Sequence, residues 1–346
     1  MSFEVPLKKQ EQTEVQEKSG AVIAAERLME KSRFKRLNRK SSNTELEIGE
    51  KHFTIESIES GDHPDIAQVQ ELFIKTFGEE EVDPEEVMRS AVEGKTAWDT
   101  EDITNYRLHV IKDKEGKVVS IVGGGLLDLL GDENKPTGKT MFMIGYAVTD
   151  PDARQGGLAR EAYISAIMDA ERTAKAQGKE LSFAAGECMS TSEKFWNNVG
   201  WKRAYVADRP GETKAYTELK YVQPALDFDP ETGEIAEDAG EAPEHFMVDS
   251  FGRMPPTKKE IMMTVNAFYR WCNKWPREAF ENDEAYEKHL AYVQGIEDTF
   301  NEKLKQGGQV IYLDQQSQEK AMQAGVSIEE YAEADGETED KDKEDF

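Results

Sequence analysis

One stretch of sequence, residues 140–177, limits the folds open to this chain more than any other. It begins with the apolar run 141–148, which is too short for a buried helix and has the length of a covered strand. Turn-forming residues and a proline end that strand at 149–152. After a glycine-rich turn comes a long helical pattern with a small residue at every fourth position: Ala162, Ala166, Ala170 and Ala174. The stretch predicts a strand, a tight turn and a helix that lies close against a sheet.

The turn at 154–159, with the sequence RQGGLA, has residues suited to binding an anion. Backbone N–H groups at the start of a helix have no partner within it and lie at the positive end of its dipole. Gly156 and Gly157 leave room for a phosphate, and Arg154 adds a fixed positive charge. The alternative is a tight connection that merely needs glycines. The arginine and the preceding strand favour phosphate binding.

These residues resemble a known signature. Arg154-x-x-Gly157-x-Ala159 after a strand is similar to the pyrophosphate-binding motif of the GNAT superfamily of N-acetyltransferases, Q/R-x-x-G-x-G/A. The segment 195–201, FWNNVGW, resembles the closing helix–turn of that family, L-Y-E-K-L-G-F. The resemblance covers roughly residues 50–222. It implies an α/β (α+β) acyl-CoA N-acyltransferase fold, in which helices flank a mixed central sheet.

The resemblance also implies a reaction. Acetyl-CoA would be the co-substrate, no metal would be needed, and a primary amine would attack the thioester directly in a ternary complex. The strand at 141–148 would part from the strand at 181–186, and the pantetheine arm would enter the gap between them. The residues expected to bind the coenzyme are Ala147, Val148, Arg154, Gln155, Gly156, Gly157, Leu158, Ala159 and Trp196.

The catalytic residues are less defined by the resemblance. Trp196 stands where many family members have the tyrosine that protonates the leaving thiolate, and an indole N–H is not a usable acid. Phe142 stands where some members have a glutamate base. Tyr146, Glu187 and Ser190 are the candidates near the expected parting of strands, with packing or helix capping as the alternative for each. We expect Trp196 to form a wall beside the pantetheine end.

Composition limits the partners and the compartment. The formal net charge is −27, which argues against nucleic acid and favours a cationic acceptor such as a polyamine or a lysine-rich peptide. Plain solubility is the alternative explanation of that charge. The two cysteines, Cys188 and Cys272, give neither a disulfide framework nor a metal-binding spacing. No apolar run has membrane-spanning length and no signal-peptide core begins the sequence. These features predict a cytoplasmic protein.

The chain divides by composition into five parts. The leader contains a predicted amphipathic helix at 21–37 with a basic end. That end could contact nucleic acid or an acidic partner, remain solvated, or lie on the acidic body of the protein. In the C-terminal region the patterns predict a strand at 245–248 and helices at 258–275 and 278–305. We expect this region to pack against the first domain or to form a homodimer contact. The parts are a flexible polar leader (1–45), a GNAT-like domain (46–223), an acidic linker (224–242), a mainly helical region (243–327) and a disordered acidic tail (328–346).

Within the GNAT-like part, the patterns predict a strand at 52–58, two helices, a hairpin at 106–130 and a loop at 131–139. His109 in that hairpin reads as a structural histidine, and the glycines at 123–125 predict a bulge or a close backbone approach. The bulky residues Phe73, Phe77 and Trp98 shape either an acceptor pocket or the core. Two classes of function stay open: an active N-acetyltransferase, and a catalytically silent module that binds acyl-CoA or a protein. A structural protein that lost its ligand is a weaker third class.

Overall fold

The computed structural model describes residues 18–37, 44–78, 82, 85–94, 103–131, 135–154, 156–208, 215–225, 228–236, 240–270, 275 and 277–329. Within them, thirteen strands form one sheet that carries helices on both faces. The architecture is the mixed α/β fold that the sequence predicts, with further helices in the C-terminal region. No described helix is both long and apolar enough to cross a membrane.

The described helices, in chain order, are α1 (Gly20–Glu30), α2 (Ile66–Phe77), α3 (Glu85–Val92), α4 (Leu158–Ala176), α5 (Glu193–Val199), α6 (Lys258–Phe268), α7 (Asp283–Gln306) and α8 (Gln315–Gln323). The strands are β1 (Lys35–Arg36), β2 (Thr44–Ile48), β3 (Lys51–Ile58), β4 (Ile103–Asp113), β5 (Val118–Leu130), β6 (Pro136–Thr149), β7 (Glu180–Cys188), β8 (Lys202–Ala207), β9 (Ala215–Glu218), β10 (Lys220–Gln223), β11 (Ala242–Asp249), β12 (Val310–Leu313) and β13 (Ser327–Glu329).

The sheet has two halves that meet at β6. Its order is β1-β2-β3-β4-β5-β6-β7-β11-β8-β9-β13, with β10 beside β11 and β12 beside β8. From β1 to β6, each strand pairs antiparallel with the next one along the chain. β6 and β7 pair in parallel, because α4 returns the chain along the sheet between them. The predicted hairpin is the one formed by β4 and β5.

The predicted strand–turn–helix unit is confirmed. All four alanines at the predicted spacing on α4 are buried, so the helix lies close to β4, β5, β6 and β7. Gly178 follows the helix with φ +70°, the left-handed conformation typical of a helix end. The predicted loop at 131–139 is shorter than expected. β6 already begins at Pro136, because its first residues extend the antiparallel ladder with β5.

The two faces of the sheet have separate cores. On the first, called the α4 face, α1, α4 and α5 cover residues that include Phe142, Ile144 and Trp201. On the second, called the α6 face, α2, α3, α6 and α7 cover Phe246 and Val248, among others. Successive side chains of a strand point to opposite faces, so a residue's position along its strand decides which core it joins.

The C-terminal region contributes a central strand to the sheet. β11 lies between β7 and β8, and its Val248 is opposite Ala185 on one side and Lys202 on the other. Phe246, Met247 and Val248 are all buried. The sequence predicts a strand at 245–248, and the structure adds its place inside the sheet. The region therefore packs against the first part of the chain, which is one of the two expectations.

The helices of that region begin at side-chain caps. Thr257 and Glu260 form a reciprocal capping box at the start of α6. The helix predicted at 278–305 begins later, at Asp283, because the Asn282 side chain accepts a hydrogen bond from the Ala285 N–H and fixes the first turn there. α8 had no counterpart in the sequence prediction.

Part of the predicted leader is folded. The predicted helix at 21–37 ends at Glu30, and residues 31–37, here called the N-terminal arm, continue in non-helical form. α1 packs on α4 through its small and apolar side, since Ala21, Ala25 and Leu28 are buried. The arm lies on the acidic body at Arg36, whose guanidinium pairs with the buried Glu161 at 2.5 Å. One alternative for the basic segment is thereby confirmed.

Candidate functional site

The central feature of the site is a gap between two parallel strands. β6 and β7 pair only from Lys139 opposite Glu180 to Met143 opposite Ala185. Both strands continue beyond this ladder, β6 to Thr149 and β7 to Cys188. The backbone edges of the two strand ends therefore face each other without strand-to-strand pairing. This is the parting that the resemblance implied.

A bulge in β6 lies beside the point where the ladder ends. Gly123 of β5 pairs with Tyr146, whereas the next residue, Gly124, pairs with Ile144, so Gly145 has no opposite residue. A β-carbon on Gly124 would lie 2.2 Å from the carbonyl oxygen of Met143, which only glycine avoids. The predicted close backbone approach at 123–125 is thus present. The bulge turns the backbone of β6 at the mouth of the gap.

The glycine-rich turn lies at the same end of β6. A short 3₁₀ turn, Pro151–Ala153, leads to Arg154, and Gly157 precedes α4 with φ +87°. The Arg154 Nε–H donates to the carbonyl oxygen of Thr149 at 3.3 Å, so this side chain is folded against the strand end. Leu158 is buried in the core, while Gly156 and Ala159 are partly exposed. Gln155 lies outside the described residues.

Asp150 holds the turn in place. Its carboxylate accepts hydrogen bonds from the Nζ atoms of Lys117 at 2.7 Å and Lys75 at 2.8 Å, and from the backbone N–H of Asp152. Burial alone would raise the pKa of Asp150, but the bonds from Lys117 and Lys75 outweigh it and lower the pKa to about 2. The carboxylate is therefore charged at neutral pH and fixes the chain just before the turn.

The N-terminal arm borders the turn. The Phe34 ring lies 3.7 Å from where a β-carbon on Gly157 would be, and it packs edge-on against Phe53. The Arg160 guanidinium donates to the carbonyl oxygen of Lys31. Together with the Arg36–Glu161 pair, these contacts tie the arm to the first turn of α4.

Two of the three candidate catalytic residues share the α6 face. Tyr146 packs against the core of that face and stacks on Phe73, with ring centroids 4.4 Å apart. Phe77 lies beside both rings, and Trp98 is outside the described residues. Along β7, Glu187 lies on the same face as Phe183 and Ala185, which belong to that core. Tyr146 and Glu187 therefore flank the gap on one face, one from each strand.

The environment of Glu187 favours its uncharged form. Its Oε2 atom is buried and has no hydrogen-bond partner among the described residues. Burial, and then the negative charge of Glu244 on β11, raise the pKa of Glu187 well above its usual range. Register explains the second effect: Glu187 is opposite Phe246, and Glu244 is the next residue of β11 on the same face.

The remaining candidates lie on the α4 face. Trp196 is buried in an aromatic cluster with Tyr163, Phe195 and Trp201. Its ring therefore has a packing role, and its contact with a pantetheine arm stays a prediction. The Trp201 indole lies 3.5 Å from where a β-carbon on Gly186, near the end of the ladder, would be. The Trp201 Nε1–H donates to the Tyr163 hydroxyl, which donates to Asp249.

Ser190 follows the end of β7 and is exposed. Its hydroxyl does not cap α5, because that helix has no side-chain cap and Ser192 bonds to the carbonyl oxygen of Met189 instead. The helix-capping role considered for Ser190 is thus wrong. The Ser190 hydroxyl is 3.0 Å from Nε2 of His245, a residue 55 positions away. Burial raises the pKa of the neighbouring Cys188 thiol, which excludes it as a thiolate nucleophile at neutral pH.

One group of possible metal ligands occurs among the described residues, and it already holds a cation. Glu56, His63 and Asp65 lie close together. The Lys112 ammonium is 2.5 Å from Glu56 and 2.8 Å from Asp65, so it takes the position that a metal ion would need. His109 is buried and titrates far below its usual range, with a pKa of about 4, mainly because of burial.

Comparison with known proteins gives no match at the level of sequence. No protein-family model matches the chain, and no curated protein does. Similar solved structures include a GNAT-family acetyltransferase from Bacteroides thetaiotaomicron, with 15% identity and a TM-score of 0.36 over 62% of this chain and 95% of that one. The ribosomal-protein-S18-alanine N-acetyltransferase from Escherichia coli shows 11% identity and a TM-score of 0.33 over 59% and 96%.

A third similar structure is a fungal multi-domain β-N-acetylglucosaminidase with a glucosamine N-acetyltransferase region. Its identity is 12% and its TM-score 0.32, and the alignment covers 48% of this chain but only 20% of the fungal protein. At such identities and scores, the function has to be argued from the geometry of the chain itself.

Sequence reasoning missed His245, Glu218 and Glu244 as residues near the candidate catalytic groups. These residues lie on strands that are far from the turn in sequence, and no local pattern links them to it. The only sequence feature that pointed to one of them was the predicted strand at 245–248, which begins with His245.

Proposed function

We propose that this chain is an N-acetyltransferase that transfers an acetyl group from acetyl-CoA to a primary amine. The observation that carries the proposal is the gap between β6 and β7, with a bulge at Gly145 on its rim and a glycine-rich helix start at its open end. An extended pantetheine arm needs an unpaired strand edge, and a diphosphate needs free backbone N–H groups. The chain offers both at one place.

The turn would hold the diphosphate. The N–H groups of Gly156, Gly157, Leu158 and Ala159 lie at the start of α4, where the helix dipole favours negative charge. Arg154 and Gln155 would add donors from the preceding residues. Pantetheine would pair with the β6 edge near Ala147 and Val148. An N–H at the bulge would then stabilise the thioester oxygen as it becomes an oxyanion.

Two side chains on the α6 face would handle the protons. A cationic amine must lose a proton before it can attack. Its positive charge would favour the ionised form of Glu187 as it binds, and the Glu187 carboxylate would then accept that proton. The amine nitrogen then forms a bond to the carbonyl carbon as the carbon–sulfur bond breaks. The second proton of the amine reaches the departing thiolate, and the Tyr146 hydroxyl would relay it. The products are the amide and free coenzyme A, and no covalent enzyme intermediate is required.

The acceptor in this proposal is cationic. Glu187 and Glu244 place two carboxyl groups on the α6 face beside the gap, and the whole chain has a net charge of −27. An ammonium group that binds between them would relieve their repulsion. Phe73, Phe77 and Tyr146 would pack against the aliphatic part of the acceptor.

A second candidate is a silent module that binds acyl-CoA without transferring its acyl group. Trp196 favours this alternative, because the position of the expected acid carries an indole that is buried in an aromatic cluster. Turnover separates the two. Thiol release from acetyl-CoA would be followed over a panel of polyamines, aminoglycosides, amino acids and lysine-rich peptides.

We predict an amine-dependent rate with at least one cationic member of the panel, which Glu187→Gln lowers on the order of 100-fold. The same change in Glu180→Gln, on the exposed first residue of β7, should leave the rate unchanged. Acetyl-CoA binding without release for any acceptor would favour the silent module. Equal rates in the two variants would remove Glu187 as the base.

A further inference from the structure

A second constellation of catalytic residue types lies on the opposite side of β7 from Glu187. Ser190 follows β7, His245 is on β11, and Glu218 ends β9. The Ser190 Oγ and the His245 Nε2 are 3.0 Å apart, and the His245 Nδ1 is 2.5 Å from the Glu218 Oε1. The strand order of the sheet brings together three segments that are distant in sequence.

The chemistry of the contacts fixes the direction of each hydrogen bond. A carboxylate can only accept, so the His245 Nδ1–H donates to Glu218. In the neutral imidazole, Nε2 is then left as an acceptor for the Ser190 O–H. A serine that donates to a histidine, which in turn donates to a carboxylate, is the arrangement that activates a serine nucleophile.

Burial increases from Ser190 through His245 to Glu218. Ser190 is exposed, whereas His245 is 4% and Glu218 is 1% exposed. The attacking oxygen is thus open to a substrate, while the orienting carboxylate is shielded from water. Arg203 lies near Glu218, with Nη1 3.8 Å from Oε1, and it also pairs with Glu193. Arg203 thus places a positive charge beside the orienting carboxylate.

A purely structural role explains these groups poorly. The Glu218 Oε2 is buried and has no hydrogen-bond partner among the described residues, which is costly in a carboxylate kept only for stability. The Ser190 hydroxyl does not cap the helix that follows it. Buried ionisable groups that lead to one exposed hydroxyl are typical of a functional site.

We propose that Ser190, His245 and Glu218 form a serine-nucleophile triad that hydrolyses a small activated acyl group, an ester or a thioester. The Ser190 oxygen bonds to the carbonyl carbon while His245 takes the hydroxyl proton and delivers it to the leaving alcohol or thiol. Water then attacks the acyl-serine and gives a proton to His245, which returns it to the Ser190 oxygen. The net reaction converts the ester or thioester and water into a carboxylic acid and the free alcohol or thiol.

A fluorophosphonate probe tests the proposal without knowledge of the substrate, because it reacts with activated serines. The full-length protein is treated with the probe, digested and examined by mass spectrometry. We expect one adduct on the peptide that contains Ser190, absent in Ser190→Ala and absent when the protein is first unfolded in urea. Ser192→Ala, two residues away, is the matched control and should be labelled like the wild type.

Two further variants test the partners of Ser190. The labelling rate should fall on the order of 100-fold in His245→Gln, with a smaller fall in Glu218→Gln. Hydrolysis of p-nitrophenyl acetate should be lost in Ser190→Ala and retained in Ser192→Ala, which assigns it to the Ser190 hydroxyl. No adduct on Ser190 in the native wild type would overturn the triad. An undiminished labelling rate in a folded His245→Gln would also overturn it. If that variant does not fold, the comparison of native and urea-unfolded wild-type protein still decides.

Discussion

At the scale of single residues, burial decides the protonation of His109. The ring is 2% exposed, lies 3.3 Å from the Ser165 hydroxyl and is close to Asp169 and Arg107. Burial lowers its pKa from 6.5 to about 4, and the positive charge of Arg107 offsets part of the attraction of Asp169. The ring is therefore neutral in the native protein at pH 7, which fits the structural role that its isolation in sequence predicts.

His109 should make stability fall in mild acid. Between pH 6.5 and 4 the unfolded chain binds a proton at this residue and the native chain does not, so the free energy of unfolding decreases as the pH falls. The loss by pH 4 should be roughly 3 kcal/mol. His109→Gln cannot take up that proton and should flatten the pH dependence of urea unfolding over this range. His52→Gln, at an exposed position of β3, should keep the wild-type slope. Parallel curves for His109→Gln and the wild type would contradict this account.

Single residues also set the limit of inference from sequence. Arg154, Gly156 and Gly157 can be proposed from sequence alone, because a phosphate turn is formed by a few consecutive residues. Glu187 and Ser190 were proposed only because they lie near the expected parting of the two strands. Their partners, Glu244 and His245, were not, because the contacts depend on a strand that enters the sheet from far along the chain. The environment of Trp196 likewise depends on Tyr163 of α4, which no pattern pairs with it.

At the scale of elements, a buried ion pair helps to hold the N-terminal arm in place. The side chains of Arg36 and Glu161 are 12% and 1% exposed. If one partner is removed, the other charge remains buried without compensation, so Arg36→Met should lower the free energy of unfolding by about 3 kcal/mol. Lys35→Met is the matched control. The Lys35 side chain is 75% exposed, and its Nζ atom lies as far as 3.9 Å from Glu47. This change should therefore lower the free energy of unfolding by less than about 1 kcal/mol. Urea unfolding compares the two, and equal losses of stability would contradict the larger contribution assigned to the buried pair.

Elements with strong local patterns were predicted well. The spacing of alanines on α4 and the turn between β4 and β5 specify these elements without distant contacts. The predicted boundaries differ from the observed ones where tertiary contacts extend or shorten an element. β6 gains residues from its ladder with β5, and α7 starts late at the Asn282 cap. The pairing of β11 with β7 and β8 could not be read from local periodicity, because pairing partners are chosen by the whole sheet.

At the scale of the whole molecule, the C-terminal region is part of the central sheet. A chain that ends at residue 223 would lack β11, and β7 and β8 would lose their shared neighbour together with the buried side chains of Phe246 and Val248. We predict that residues 18–223 alone do not fold cooperatively, because two inner strand edges and part of the core become exposed. Residues 18–329 are the control and should unfold in one transition. Thermal unfolding followed by circular dichroism distinguishes the two, and a cooperative transition in the shorter chain would show that 46–223 is an independent domain.

The central claim is that the glycine-rich turn beside the gap binds the diphosphate of acetyl-CoA. A β-carbon on Gly156 would lie 3.5 Å from its nearest neighbour, the carbonyl oxygen of Ala153, so Gly156→Asp should fold normally while its carboxylate repels the diphosphate. Gly240→Asp adds the same charge at a position with nothing within 4 Å and is the matched control.

Isothermal titration of acetyl-CoA into these proteins is the most direct measurement. We predict one binding site in the wild type and in Gly240→Asp, and an affinity at least ~10-fold weaker in Gly156→Asp, which corresponds to about 1.4 kcal/mol. A thermal shift with excess acetyl-CoA should follow the same order, since a ligand that binds only the native state raises its stability. No binding to the wild type, or equal binding to Gly156→Asp, would contradict the assignment of the turn and with it the proposed function.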